Sequence, residues 1–103
     1  MTFNDALDQV MKGGAIRRGG WPEHTFVFAQ VPAEIGKDIV PKMQSLPDGV
    51  KEIFEARFND PGFQISAIYY SGQMAIVDKS NSIKGYNPSA DDVLALDWKF
   101  YKH

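Results

Sequence analysis

The chain has no cysteine, only two histidines and no excess of positive charge. The first absence removes disulfides, thiolate nucleophiles and zinc–thiolate sites together. It also fits a reducing compartment. His24 and His103 have no partner at ligand spacing, so the pattern points to no metal site. A serine triad needs an ordered base and an orienting acid, and no serine sits in an elbow motif. The net charge of −2 is no footprint for duplex nucleic acid, which demands a basic face. A basic segment followed by an apolar core is missing at the N-terminus, so no signal peptide is expected. Apolar runs all fall short of the ~20 residues of a membrane span. Catalytic residues, cofactors, metals, nucleic acid and membrane are all left without a candidate.

What the chain has is a core. Its 103 residues are 44% hydrophobic and 13% aromatic, which argues against disorder and for one domain over 1–103. A domain of this size buries a modest share of its surface, so association of copies is a natural source of added stability.

Hydrophobic spacing gives the elements. Thr2 to Lys12 reads as an amphipathic helix with Phe3, Ala6, Leu7, Val10 and Met11 on one buried face. Thr2 and Asp5 match a capping box, and Gly13-Gly14 is a helix stop. Ala15 to Arg18 is a short strand, and Gly19-Gly20-Trp21-Pro22 a turn. Thr25 to Val31 is a strand rich in β-branched and aromatic residues. Val27, Ala29 and Val31 share one of its faces and Phe26 and Phe28 the other, so both faces are expected to be covered. Between Pro32 and Gln44 the prolines forbid a continuous helix. Ser45-Leu46-Pro47-Asp48 repeats a cap pattern and leads into a second helix to about Arg57. It carries Leu46, Val50, Ile53, Phe54 and Phe58, and Asn59-Asp60-Pro61-Gly62 ends it. Gln64–Tyr70 and Gln73–Asp78 flank Ser71-Gly72 as a two-residue hairpin. A short strand from Ile83 to Tyr86 follows. Ser89 caps a short helix with Asp92 at its N3 position, and Asp97 to Tyr101 is a last strand. Class α+β results: an N-terminal helix on an antiparallel sheet, a middle helical insertion, and a short C-terminal helix before the last strand.

Several residues have both a ligand-binding and a packing reading. Arg17 and Arg18 are adjacent on a strand, so only one faces a given site; an arginine fork suits phosphate. Gly19-Gly20 matches no P-loop, since no Gly-Lys-Ser/Thr follows. Its place between arginines and Trp21 suits close backbone approach to a ligand. Trp21 either stacks a base or plugs the edge of the core. Tyr86 either adds an aromatic surface beside the helix start or packs as a loop aromatic. Asp92 either reads a polar ligand group or serves the cap and helix dipole. Trp98, on an alternating strand, belongs to the core.

Taken in order, Phe3-Asn4-Asp5-Ala6-Leu7, Arg18-Gly19-Gly20-Trp21, Val31-Pro32 and Gly85-Tyr86-Asn87-Pro88-Ser89-Ala90-Asp91-Asp92-Val93-Leu94-Ala95-Leu96-Asp97-Trp98 resemble the phage Thoeris anti-defence two family. The order and spacing agree over about half the chain. Family members carry Pro-Trp where this chain has Gly85-Tyr86, and an acidic residue where it has Leu96. The middle, 33–63, does not align residue by residue. The resemblance implies a sponge: a protein that binds the cyclic ADP-ribose-type signal of the Thoeris system, or a cyclic dinucleotide, and does not cleave it. It implies homo-oligomers, tetramers above all, with pockets between protomers, acting in the cytoplasm of the infected bacterium. Carried onto this chain, it assigns Arg18 to a phosphate and Trp21 and Tyr86 to base or ribose packing. Asn87, Ser89 and the amides that follow take polar contacts, Asp92 a ribose hydroxyl, Phe26 lines the pocket, and Gly20 is the point of close backbone approach. The competing readings are a small inhibitor that binds a host defence protein directly and an enzyme that degrades the signal.

Overall fold

The computed structural model describes residues 1–102 and is α+β, as expected. Its chain forms two compact units, Met1–Val31 together with the chain from Gly72 onward, and Pro32–Ser71. Among the described residues no helix is long and apolar enough to cross a membrane.

The first unit is built on α1 (Phe3–Met11) and a five-stranded antiparallel sheet. Its strands are β1 (Ile16–Arg18), β2 (Phe26–Gln30), β5 (Gln73–Val77), β6 (Ile83–Gly85) and β7 (Trp98–Phe100), in the order β6-β5-β2-β1-β7. Thr2 and Asp5 form the expected capping box, each side chain meeting the other's backbone N–H. Gly13, at φ 93°, takes the left-handed conformation that ends the helix. Ala6 and Val10 of α1 are buried with Ile16, Val27 and Trp98, and Phe3, Trp21, Met74 and Tyr86 pack around this cluster. The anticipated apolar face of α1 is narrower than its spacing suggests, because Met11 is 74% exposed. Val31 also lies exposed, one residue past the end of β2.

Short α3 (Ala90–Leu94) precedes β7. Ser89 and Asp92 close a second capping box, which explains why five residues hold a helix at all.

The second unit contains β3 (Ala33–Gly36), a 3₁₀ turn at Val40–Lys42, α2 (Asp48–Asn59) and β4 (Ala67–Tyr70). Two expectations fail here. Ser71-Gly72 does not close a hairpin: β4 pairs with β3, Ala33 opposite Tyr70, whereas β5 pairs with β2. The strand β3 itself lies in the proline-bounded stretch that resists reading, because its pairing partner is more than thirty residues away. The cap of α2 also differs. Pro47 is the N-cap, without a side-chain bond, and its carbonyl accepts from Val50 and Lys51. Ser45 stands outside the helix.

Candidate functional site

The site grows from one end of β1. Arg18 lies directly opposite Trp98 on the edge strand β7, so both side chains project from the same face. The chain then turns through Gly19-Gly20. The Gly19 N–H donates to the Asp97 carbonyl at 3.1 Å, and the Trp21 N–H to the Arg18 carbonyl at 3.3 Å. Arg17, pointing the other way, clamps the turn by donating through Nη2 to the Trp21 carbonyl at 2.7 Å. Trp21 is thereby held against Trp98 (5.3 Å between centroids, 78° between planes) and Tyr86 (5.9 Å, 70°). Such edge-to-face pairs add about 0.5–1.5 kcal/mol beyond area burial. Trp21 remains half-buried, part of its surface open to solvent.

Asp92 ties the group together. Its Oδ2 accepts from the Tyr86 hydroxyl at 2.8 Å and from the Ser89 N–H at 3.2 Å. Its Oδ1 accepts from Arg18 Nη1 at 3.0 Å, and its carbonyl from Trp98 Nε1 at 2.8 Å. Arg18 Nε donates to Asp97 Oδ1 at 3.0 Å. Desolvation pushes the Asp92 carboxyl up, but bonds from Tyr86, Arg18 and Ser89 outweigh it and hold the group below the usual carboxylate range. The Arg18 bond likewise holds Asp97 low. Burial, then the bond to Asp92 and its charge, push the Tyr86 phenol well above its ordinary value.

These shifts fix a pH dependence. Asp92 and Asp97 carry folded values below their unfolded ones, so their stabilisation is complete above the ordinary carboxylate value, 3.8, and is lost as pH falls through the folded values. Melting temperature followed by circular dichroism is therefore expected to hold level near neutrality and to drop below about pH 4. At the alkaline end Tyr86, its folded value raised, favours folding until pH passes the ordinary phenol value and then gives that stabilisation up. Absorbance titration is expected to show a phenol ionising above its ordinary value, and Tyr86→Phe to abolish that late step. A flat acid limb, or a late step that survives Tyr86→Phe, counts against this network.

Of the sequence-derived candidates, Arg18, Trp21, Tyr86, Ser89 and Asp92 converge. Gly20 adjoins them in the turn, with nothing within 4 Å of where a Cβ would stand. Asn87 is exposed on the loop between Tyr86 and the α3 cap. The Ser89 hydroxyl is committed to the cap, accepting from the Asp92 N–H at 3.1 Å. Phe26 is not brought to the cluster. Its neighbour Val27 is in the core under α1, and alternation turns Phe26 to the other face, stacked on Tyr101 at 4.7 Å. Arg18 is also more engaged than a phosphate fork requires, since two carboxylates leave the trio at net −1. Sequence reasoning passed over Asp97 as a site residue. Its signal is the Asp-Trp pair at the start of β7, which sets a carboxylate beside the residue opposite Arg18.

A family model described as Tad2-like, the Thoeris anti-defense 2-like domain, matches residues 1–101. No curated protein matches the chain.

Proposed function

This chain belongs to the Tad2-like family of Thoeris anti-defense 2-like domains, its role is accordingly one of anti-defence, and from that premise we propose that it works by binding and sequestering a cyclic ADP-ribose-type nucleotide signal, or a cyclic dinucleotide, without cleaving it. The observation that carries the reading is Trp21: an indole fixed by two aromatic neighbours, partly open, beside an arginine and a turn with room at Gly20. A fixed indole loses little freedom when a base stacks on it.

The trio's charge refines the roles. A bare phosphate meets two carboxylates at Arg18, whereas ribose hydroxyls and base N–H groups find acceptors in Asp97 and Asp92. Arg18 Nη2, which makes no bond among the described residues, remains to donate to the ligand. Asn87 and Tyr86 border the same place. Val93, Leu94 and Leu96, flanking Asp92 and Asp97, are 45%, 78% and 76% exposed. Apolar surface of this kind next to the site suits a homo-oligomer, a tetramer in the favoured form, whose protomers share the pocket. The proposed setting is the cytoplasm of the infected bacterium.

The test is to load the protein with a cyclic ADP-ribose isomer, remove free nucleotide, release by heat and analyse by chromatography and mass. Intact nucleotide is the expected product; altered mass means an enzyme, and none released means no sponge. Trp21→Ala is expected to weaken binding roughly 5- to 150-fold, from about 1–3 kcal/mol of lost stacking. Calorimetry that gives the variant the parent's affinity rejects Trp21 as the stacking surface. A second reading, direct inhibition of a host protein, is favoured by one feature: an apolar groove of about 360 Å³ in the second unit, lined by Val50, Phe54, Phe58, Phe63, Ile68 and Tyr70 among others. Nucleotide-free protein that still blocks a purified defence protein supports that reading.

A further inference from the structure

Two adjacent arginines stand on β1, and they divide their donors differently. Arg18 is taken up by the carboxylates of Asp92 and Asp97. Arg17 makes no ion pair among the described residues. Its donors go to main-chain oxygens instead. Nε donates to the Arg18 carbonyl at 3.3 Å, and Nη2 to the carbonyls of Trp21 at 2.7 Å and Pro22 at 3.3 Å. A half-buried guanidinium spent on three carbonyls of one turn has no open fork to offer a phosphate. Only arginine carries several N–H donors in one rigid plane, so the residue type suits this task and a lysine does not.

The turn that Arg17 meets has little else to hold it. Gly19 and Gly20 bring more backbone freedom than any other residue type, and nothing stands within 4 Å of where a Gly20 Cβ would be. Pro22 has no N–H to give. The Gly19 N–H donates to the Asp97 carbonyl at 3.1 Å. The Trp21 N–H to the Arg18 carbonyl, and the Thr25 N–H to the Pro22 carbonyl, are both at 3.3 Å. The Arg17–Trp21 bond is shorter than all of these, and it is charge-assisted. It also ends on the residue whose indole is the open aromatic face. Trp98 and Tyr86 act on the Trp21 ring, whereas Arg17 acts on the main chain that carries it.

We propose that Arg17 is the positioning residue of the Trp21 face: it touches no ligand, and by holding the carbonyls of Arg18, Trp21 and Pro22 it fixes the indole where a base stacks. The effect on affinity rests on the sponge reading; the placing of the indole does not. Lys99, directly opposite Arg17 on β7, carries the same charge and is the matched control for a purely electrostatic effect.

Arg17→Met keeps an unbranched stem and removes every donor. Near-ultraviolet circular dichroism reports the coupling of Trp21 with Trp98 and Tyr86. It is expected to lose intensity in this variant while the far-ultraviolet spectrum stays that of the parent. Calorimetry with a cyclic ADP-ribose isomer is expected to show affinity lowered roughly 3- to 10-fold, from the freedom a loosened side chain gives up on binding. Lys99→Met removes the same charge and is expected to keep the parent's spectrum, with affinity within about twofold at physiological salt. On a Trp21→Ala background Arg17→Met is expected to cost no further affinity, because the side chain it positions is gone. Arg17→Lys, with one donor group for three carbonyls, is expected to fall between parent and Arg17→Met. It carries the same comparisons should Arg17→Met fail to fold. An unchanged near-ultraviolet spectrum overturns the proposal whether or not any nucleotide binds. So does an altered spectrum with the parent's affinity. An equal loss from Lys99→Met makes the effect one of charge, and a loss undiminished on the Trp21→Ala background puts the guanidinium on the ligand; either also overturns it. A parent that binds no nucleotide, with the spectrum still altered in Arg17→Met, defeats the sponge reading and leaves Arg17 as the clamp on Trp21, so the two failures are distinguishable.

Discussion

Trp98→Ala is expected to leave little folded protein at physiological temperature. Trp98 is 2% exposed and is the largest of the fully buried side chains. Truncating a buried tryptophan costs about 3–5 kcal/mol, against a total stability of about 5–15 kcal/mol for a domain. Three losses combine here. The indole packs on Phe3 of α1 at 5.6 Å and on Trp21 at 5.3 Å, so the variant opens a cavity between helix, sheet and turn. Its Nε1–H donates to the Asp92 carbonyl within α3, which is left with only the longer bond from the Ala95 N–H at 3.4 Å. Trp98 is also the residue through which the edge strand meets Arg18. Urea unfolding followed by far-ultraviolet circular dichroism reads the effect as a fall in midpoint. Trp98→Phe keeps most of the ring and gives up the hydrogen bond, with an expected cost of about 1–2 kcal/mol. A midpoint for Trp98→Ala close to that of the parent rejects Trp98 as the centre of the core.

Local chemistry made part of this fold legible and left the rest hidden. Both capping boxes, Thr2 with Asp5 and Ser89 with Asp92, were readable because each is complete within four residues. Trp98 was readable as core because alternation along one short strand decides which side faces in. The exchange of partners around Ser71-Gly72 was not. A two-residue turn signal is local, whereas the pairing of β5 with β2 and β4 with β3 is settled by burial of residues far apart in the chain. Phe26 shows the same limit at the site. Its distance from Trp21 in sequence is five residues, yet it occupies the opposite face of the sheet, and only the register reveals that. Arg18 stands beside Trp21 and Tyr86, but its two carboxylate partners lie 79 and 74 residues away, so its charge balance is out of reach of local reading.

Asp92→Ala is expected to cost about 2–3 kcal/mol, the sum of one or two stranded donors and part of a helix cap. The Tyr86 hydroxyl loses its acceptor, the Ser89 N–H loses the reciprocal half of its box, and Arg18 falls back on Asp97 alone. On a domain of this size that is a drop of roughly 10–20 °C in melting temperature. Asp92→Asn separates charge from shape. An amide oxygen still accepts from Arg18, and the phenol can turn to accept from the amide, so the expected loss is about half that of alanine. The same variant is expected to bring the Tyr86 phenol part of the way back down, because the Asp92 charge is removed while burial, the larger cause, remains. A cycle with Arg18→Ala then measures the ion pair. The pair is partly exposed, with side chains 25% and 13% accessible, so a coupling near 1 kcal/mol is expected rather than the larger cost of a fully buried pair. If Asp92→Ala melts with the parent protein, the carboxylate is not the tie between turn, loop and helix. Trp21 and Tyr86 then owe their positions to aromatic packing and to backbone bonds, the Arg17 clamp on the Trp21 carbonyl among them. If it melts early and Asp92→Asn does not, the tie is hydrogen bonding rather than charge, and ligand affinity at the Trp21 face is expected to follow the same ranking as stability.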